Sequence, residues 1–329
     1  EGAMDPDRLH DLYIRKGLGE AAAAEAVAHV RDLERHLALT GRTLETLDQD
    51  DLAAYVARLV ETGDNSEARL LALARFFHLN DAQDLYIYFT SLFGSDGVLA
   101  SIRKRAEALE GADTAAALFR DLPIPPLGTP PADLPPSTRR LMDNLQATLP
   151  ASRARAILCG NHHGIPRESF LEERQRRKES ESLDAYLKDR HRRMVDVLQA
   201  HCDAGTVWFE QRITQRVVDH VRAHQELLSA VREGDTLYAT KIPYDPDRWL
   251  GETEPVLRRY AACHCPFVRE AIRNGTPGVP SDWCYCSAGF EKLLFDEVLE
   301  ADLEVELLES VLQGHDRCRF AIRLPEGMD

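Results

Sequence analysis

Five cysteines lie within 56 residues near the C-terminus: Cys263, Cys265, Cys284, Cys286 and Cys318. Thiols in that number, at that spacing, point to a metal ion. In Tyr260-Ala-Ala-Cys263-His264-Cys265-Pro266 an extended chain turns Cys263 and Cys265 to one face and His264 to the other. In Trp283-Cys284-Tyr285-Cys286-Ser287 a second pair precedes a helix, whose N-terminus favours negative charge and so thiolate. Zinc takes four ligands, often sulfur, at about 2.3 Å. Soft thiolates suit an iron–sulfur cluster equally. The competing readings are redox dithiol pairs and inert buried thiols. A single cysteine would be read as a small hydrophobe, but five so close together are not.

A second segment, Cys159-Gly160-Asn161-His162-His163-Gly164, reads as an exposed loop. It offers imidazoles that titrate near neutral pH. Cys159, His162 and His163 are therefore the candidate catalytic residues, as nucleophile, proton carriers or further ligands. Lys241, in Lys241-Ile-Pro-Tyr244, is a candidate ligand contact, and its alternative is a charge at a strand edge. Arg269 can meet a carboxylate or make a structural ion pair. Tyr285 lies inside the second cysteine pair and is a further candidate ligand contact. Glu309 reads as a base, as a partner to a ligating histidine, or as a solvated strand residue. Trp208-Phe209 reads as core. No Gly-rich phosphate loop, Gly-x-Ser-x-Gly elbow or His-Glu-x-x-His helix is present in the sequence.

These residues need elements to place them. A chain of 329 residues suggests about two domains. Residues 7–120 read as all helix. Glu20–Leu39, the Leu44–Leu59 segment with Asp48 or Asp50 as cap, a helix opening at Asn65 or Ser66, Ala82–Phe93 and Val98–Leu109 carry apolar positions at helical spacing. Residues 121–137 hold seven prolines and read as an extended, irregular linker. Residues 138–329 mix helices (Ser182–Ala200, Gln211–Ala230, Pro266–Arg273, Ala288–Leu299) with strands (Thr236–Ile242, Val256–Cys265, and two around Leu303–Leu307 and Cys318–Ile322). The last two join through Gln313-Gly-His-Asp316 as a hairpin. The expected fold class is α+β: an N-terminal all-helical bundle, then an antiparallel-sheet α+β domain that binds metal and ligand.

Two stretches resemble known families. The Thr40–Leu47 turn, the Asp51-Leu-Ala-Ala-Tyr55 helix and the Ser66–Phe77 helix resemble the SAM-like core-binding domain of tyrosine recombinases, which implies a compact helical bundle. Asp7–Arg120 holds 13 Lys and Arg against 19 Asp and Glu, so DNA binding does not carry over. A scaffold or dimerisation role is expected there instead. Cys284-Tyr-Cys286-Ser-Ala-Gly289-Phe290, Glu309-Ser310 and Gly314-His-Asp-Arg-Cys318-Arg-Phe320 resemble the C-terminal signature of the 4-vinyl-reductase-like domain, found in chlorophyll-biosynthesis proteins and zinc-containing aromatic-sensing regulators. The resemblance implies that Cys284 and Cys318 are metal ligands. That family's Glu-Cys pair is Glu309-Ser310 here, so Cys263, Cys265 or Cys286 is expected to supply the missing sulfur. The same stretch is similar to aminothiazoline carboxylate hydrolase-like proteins. The whole second unit resembles bacterial proteins of unassigned function with Cys-His-Cys-Pro and Cys-x-Cys-Ser motifs.

The net charge of −15 argues against nucleic acid and against anionic membranes. No apolar run reaches the roughly 18 residues of a membrane span. No secretory signal is visible, and the first six residues read as a cloning remnant. Cys-x-Cys pairs and an odd cysteine count suggest reduced, cytoplasmic thiols. The expected function is a cysteine-ligated metal protein, with zinc or an iron–sulfur cluster, that binds a small organic molecule. It would act as a metal-dependent hydrolase or lyase, as a non-catalytic sensor with structural zinc, or as an iron–sulfur protein. A homodimer through the helical unit is expected.

Overall fold

The computed structural model describes residues 4–327. It is an α+β protein in two compact units. The first comprises the chain up to Asp96 together with Pro125–Leu134, and the second Gly97–Ile124 with everything from Pro135 onward. The boundary thus differs from the expected one: residues 97–124 cluster with the second unit, and part of the proline-rich stretch with the first.

The first unit holds α1 (Asp7–Arg15), α2 (Glu20–Ala38), α3 (Gln49–Thr62), α4 (Glu67–Leu79) and α5 (Gln83–Phe93). Local chemistry sets the starts. Asp48 closes a capping box with Asp51 on α3, and Ser66 accepts the Arg69 N–H on α4. Leu33, Tyr55, Phe77 and Phe89 are buried at the centre of its core. Asp32 gathers the Tyr55 hydroxyl at 2.8 Å, Arg58 at 2.9 Å and Arg69 at 3.1 Å. Burial alone would raise its carboxyl, but the Tyr55 and Arg58 donors outweigh that and hold it below the usual range.

The second unit begins with α6 (Val98–Glu110) and α7 (Ala112–Leu118), then α8 (Pro135–Thr148), α9 (Ala151–Leu158), α10 (Leu171–Glu179) and α11 (Leu183–Ala204). A small hairpin, β1 (Val207–Trp208) with β2 (Gln211–Arg212), leads to α12 (Gln215–Ala223). This replaces the single helix expected over 211–230. The hairpin tip carries Phe209, at positive φ and 73% exposed, so Phe209 is not core. Next come β3 (Val231–Glu233), β4 (Thr236–Thr240), α13 (Pro246–Gly251), α14 (Pro255–Ala262), α15 (Arg269–Asn274), α16 (Tyr285–Leu299), β5 (Glu304–Glu309) and β6 (Arg319–Arg323). The sheet is antiparallel in the order β3-β4-β6-β5. One face packs Leu237, Ala239 and Ile322 against Phe295 and Val298 of α16 and Tyr186 and Leu187 of α11.

Two expectations are corrected here. Residues 256–262 are helix, not strand: Pro255 takes the first helical position, where its missing N–H is no loss, and the Glu254 carboxylate accepts the Leu257 N–H. Pro135-Pro136 likewise opens α8 rather than extending a linker. Among the described residues one stretch, Gln83–Glu110, has the length and apolar composition to cross a membrane. It is α5 and α6, separated by the turn at 94–97, and Phe89 and Leu92 of α5 are buried in the first unit's core.

Candidate metal and ligand centre

All seven cysteines are free. Cys263 leaves the end of α14 in extended conformation, and its N–H still bonds back to Arg259. His264 turns away: its Nε2–H donates to the Ile242 carbonyl at 2.6 Å, and its ring stands edge-on to Tyr244. Burial, with the Lys241 ammonium nearby, pushes that imidazole down to about 3, so it is neutral. The Cys265 sulfur accepts the Trp283 indole N–H at 3.3 Å and the backbone N–H groups of Phe267 and Val268. Trp283 is 1% exposed, which fixes that donor.

Cys284 ends a short 3₁₀ turn, Ser281–Cys284, directly before α16. Its sulfur accepts the Ser310 hydroxyl at 3.1 Å. Ser310 is fully buried, accepts the Leu312 N–H, and donates its own N–H to His315 Nδ1 at 3.2 Å. Cys318 immediately precedes β6. Its carbonyl accepts the Lys241 N–H at 3.0 Å, and its sulfur faces the Val311 N–H.

Burial pushes the thiols of Cys263, Cys265, Cys284 and Cys318 upward. They also act on one another. Ionised Cys265 and Cys318 would raise Cys263 further, and Cys318, Cys263 and Cys265 would raise Cys284. Cys263 and Cys284 are buried and Cys265 and Cys318 half-buried, and the sulfurs of Cys265, Cys284 and Cys318 each have a hydrogen-bond donor. Such donors stabilise thiolate. As positioned, no three His, Cys, Asp or Glu side chains among the described residues form a group that holds a metal ion. The chemistry of the donor set nevertheless suits a soft cation.

Cys286 is different. It lies in the first turn of α16, 6% exposed, and burial pushes its thiol up to about 12. Its thiol neighbours are Cys265 and Cys159. Lys241 lies just past β4. Its ammonium donates to Ser287 Oγ at 2.9 Å, stands 3.7 Å from Glu291 and lies over the Phe290 ring at 4.7 Å. It is the cation that acts on Cys265, Cys286 and Cys318 together.

The remaining expected residues are engaged by the protein. Arg269 is sandwiched between Tyr244 at 4.3 Å and Tyr260 at 4.2 Å, and donates to the Tyr260 carbonyl. Tyr285 is buried beneath Arg155 at 4.9 Å. Glu309 pairs with Arg317 at 2.6 and 3.2 Å. His162 is 4% exposed, and both ring nitrogens are used: Nε2–H donates to the Ile157 carbonyl at 2.9 Å, and Nδ1 accepts the Ser101 hydroxyl at 3.0 Å. It braces the loop and is not free to move protons. His163 is exposed, with its ring edge-on to Phe290 at 5.6 Å. Crowding around the ring and the Lys241 charge lower its pKa.

A cleft of about 420 Å³ opens beside Lys241. Its walls include His220, His224 and Trp249, with Glu226 and Arg317. The rings form a column: Arg258 lies over Trp249 at 4.4 Å, Trp249 meets His220 at 5.5 Å, and His220 meets His224 at 4.3 Å. Sequence reasoning passed over these residues. The available signal was the pair of histidines four apart, His220 in the last turn of α12 and His224 capping its end.

Residues 247–328 match a family described as "Family of unknown function (DUF6144)". The match runs from α13 through β6 and takes in all five C-terminal cysteines, but neither Lys241 nor Cys159. No curated protein and no solved structure matches the chain.

Proposed function

We propose that Cys263, Cys265, Cys284 and Cys318 are the ligands of one zinc ion, and that the protein binds a small organic molecule in the adjoining cleft. The supporting observation is four free thiols, Cys263 and Cys284 buried and Cys265 and Cys318 half-buried, with hydrogen-bond donors on the sulfurs of Cys265, Cys284 and Cys318 and with ionised neighbours that would raise Cys263 and Cys284. Bound zinc would supply the positive charge that lets such thiols ionise together. Ser310 then serves as a donor to Cys284 rather than as a ligand, and Cys263 and Cys265 complete the set. Four thiolates fill zinc's usual tetrahedral complement. The reading is therefore a zinc-braced binding protein or sensor rather than a zinc hydrolase or lyase. The wall of stacked rings favours a planar organic ligand. Free thiols of this kind suit the cytoplasm.

The test is elemental analysis and a visible spectrum of protein purified without oxygen. About one zinc per chain is expected, lost in Cys284→Ser and Cys318→Ser and retained in Cys286→Ser. Metal-free wild-type protein with the same circular dichroism and unfolding transition overturns the reading. A brown protein replaces zinc by an iron–sulfur cluster on the same sulfurs.

A further inference from the structure

The Cys159–Gly164 loop owes its position to two glycines. A Cβ on Gly289 of α16 would stand 2.7 Å from the Gly160 nitrogen, 2.8 Å from the Cys159 carbonyl carbon and 3.0 Å from Cys159 Cα. A Cβ on Gly160 would meet the His162 ring at 2.9 Å. The bare backbone of α16 thus lies directly against Cys159-Gly160, with the loop pinned by His162. Cys286 is three residues before Gly289, so it lies on the same helix face one turn away.

The two thiols differ in access. Cys286 is 6% exposed. Cys159 is half-buried and lines a separate cleft of about 530 Å³, whose walls carry Arg105, Arg167, Arg174 and Lys292. Asp296, Glu297, Glu300 and Asp302 also line it and pair with several of these cations.

We propose that Cys159 and Cys286 are a reversible dithiol–disulfide pair, entered at Cys159 by a small disulfide such as glutathione disulfide. The Cys159 thiolate attacks one sulfur of the reagent. A mixed disulfide forms, the reagent's S–S bond breaks, and the departing thiolate takes up the proton that Cys159 gave to solvent. The Cys286 thiolate then attacks the Cys159 sulfur. The internal disulfide forms, and the second small thiol leaves with the equivalent of the Cys286 proton. Two protein thiols are oxidised and one small disulfide is reduced to two thiols. Burial holds the Cys159 thiol up to about 11, with Lys292 and Arg105 offsetting part of the effect, so the exchange is slow at neutral pH. The pair uses the one C-terminal cysteine outside the proposed zinc set and stands whether or not zinc binds.

The test uses the full chain, purified reduced, incubated with glutathione disulfide, alkylated and digested, with metal content measured on the same sample. The expected result is a Cys159–Cys286 linked peptide and the loss of both residues from the alkylated pool. In Cys286→Ser the mixed disulfide with glutathione persists at Cys159. If that variant does not fold, the wild-type peptide map decides alone. Half-buried Cys202 is the internal control for reagent exposure. The proposal is overturned if Cys159 and Cys286 stay alkylatable while Cys202 is modified, if glutathione persists on wild-type Cys159, or if Cys286 links to Cys265. Loss of metal without the linked peptide overturns it as well. Zinc-free protein that still forms the linked peptide counts against the zinc reading alone.

Discussion

The contact between α16 and the Cys159 loop makes Gly289→Ala a sharp test of the packing. On an open helix face the change would stabilise the protein by about 1 kcal/mol, because glycine is a poor helix former. Here the new methyl carbon would meet three backbone atoms at 2.7–3.0 Å. None can rotate aside as a side chain would, and His162 pins the loop through Ser101 and Ile157. Overpacking against rigid neighbours costs about 1–3 kcal/mol, and this geometry belongs at the upper end. The net expectation is a loss of about 2 kcal/mol. At about 2–4 °C per kcal/mol for a unit of this size, Tm falls by about 4–8 °C. Tryptophan fluorescence is the assay, since Trp208, Trp249 and Trp283 are all in the second unit and report it without the first. The denaturant midpoint should drop with an unchanged slope. Gly160→Ala should also destabilise, because beside the Arg105 side chain at 2.8 Å its methyl would meet the pinned His162 ring at 2.9 Å. The double variant should lose less than the sum, since either change alone already pushes loop and helix apart. A Gly289→Ala protein as stable as wild type, or more so, refutes the close approach and with it the geometric basis of the Cys159–Cys286 pair.

Glu173 on α10 accepts Arg193 at 2.7 and 3.1 Å and the Tyr186 hydroxyl at 2.7 Å, with Arg190 at 3.1 Å. Burial opposes its ionisation, but the arginines prevail and hold the carboxyl down to about 2 from an ordinary 4.5. Its stabilisation is therefore full above pH 4.5 and lost as pH falls toward 2. Glu173→Gln should lower neutral-pH stability by about 3 kcal/mol and flatten the acid limb of the stability curve; a variant with the wild-type acid limb counts against the network. Arg269→Ala removes two cation–π contacts and a carbonyl hydrogen bond and should cost about 1–3 kcal/mol. Arg269→Lys should recover only part of this, because an ammonium cannot lie flat between Tyr244 and Tyr260. Full recovery by lysine, measured by the same fluorescence assay, would show that the stacked plane has no role.

Local chemistry was legible in the sequence where it acts alone. Asp48 and Ser66 mark the starts of α3 and α4 because a cap needs only its own next few residues. Proline misled in two places. At Pro135-Pro136 it read as linker and at Val256–Cys265 it went unweighed, although in the first turn of a helix a missing N–H costs nothing. The unit boundary was out of reach for another reason. What ties α6 and α7 to the second unit is long-range: Ser101 to His162, Arg105 to the Ala156 carbonyl, and Asn144 to the Leu118 carbonyl. No local pattern near residue 97 announces those partners.

The cysteines show the same division between local and long-range causes. Their type and number drew attention to them directly, but the spelling Cys-x-Cys occurs twice and does not mean the same thing twice. Cys263 leaves its helix in extended conformation, where residues two apart face one way. Its neighbours are accordingly Cys265 and Cys318. Cys284 and Tyr285 are already helical, and on a helix residues two apart point about 200° apart. Cys284 therefore turns to Ser310, while Cys286, in the first turn of α16, has both Cys265 and Cys159 as thiol neighbours. Backbone conformation, and not spacing, gives the two Cys-x-Cys pairs different geometries. Gly289, one turn further along α16, is where the backbone of the Cys159 loop comes against the helix.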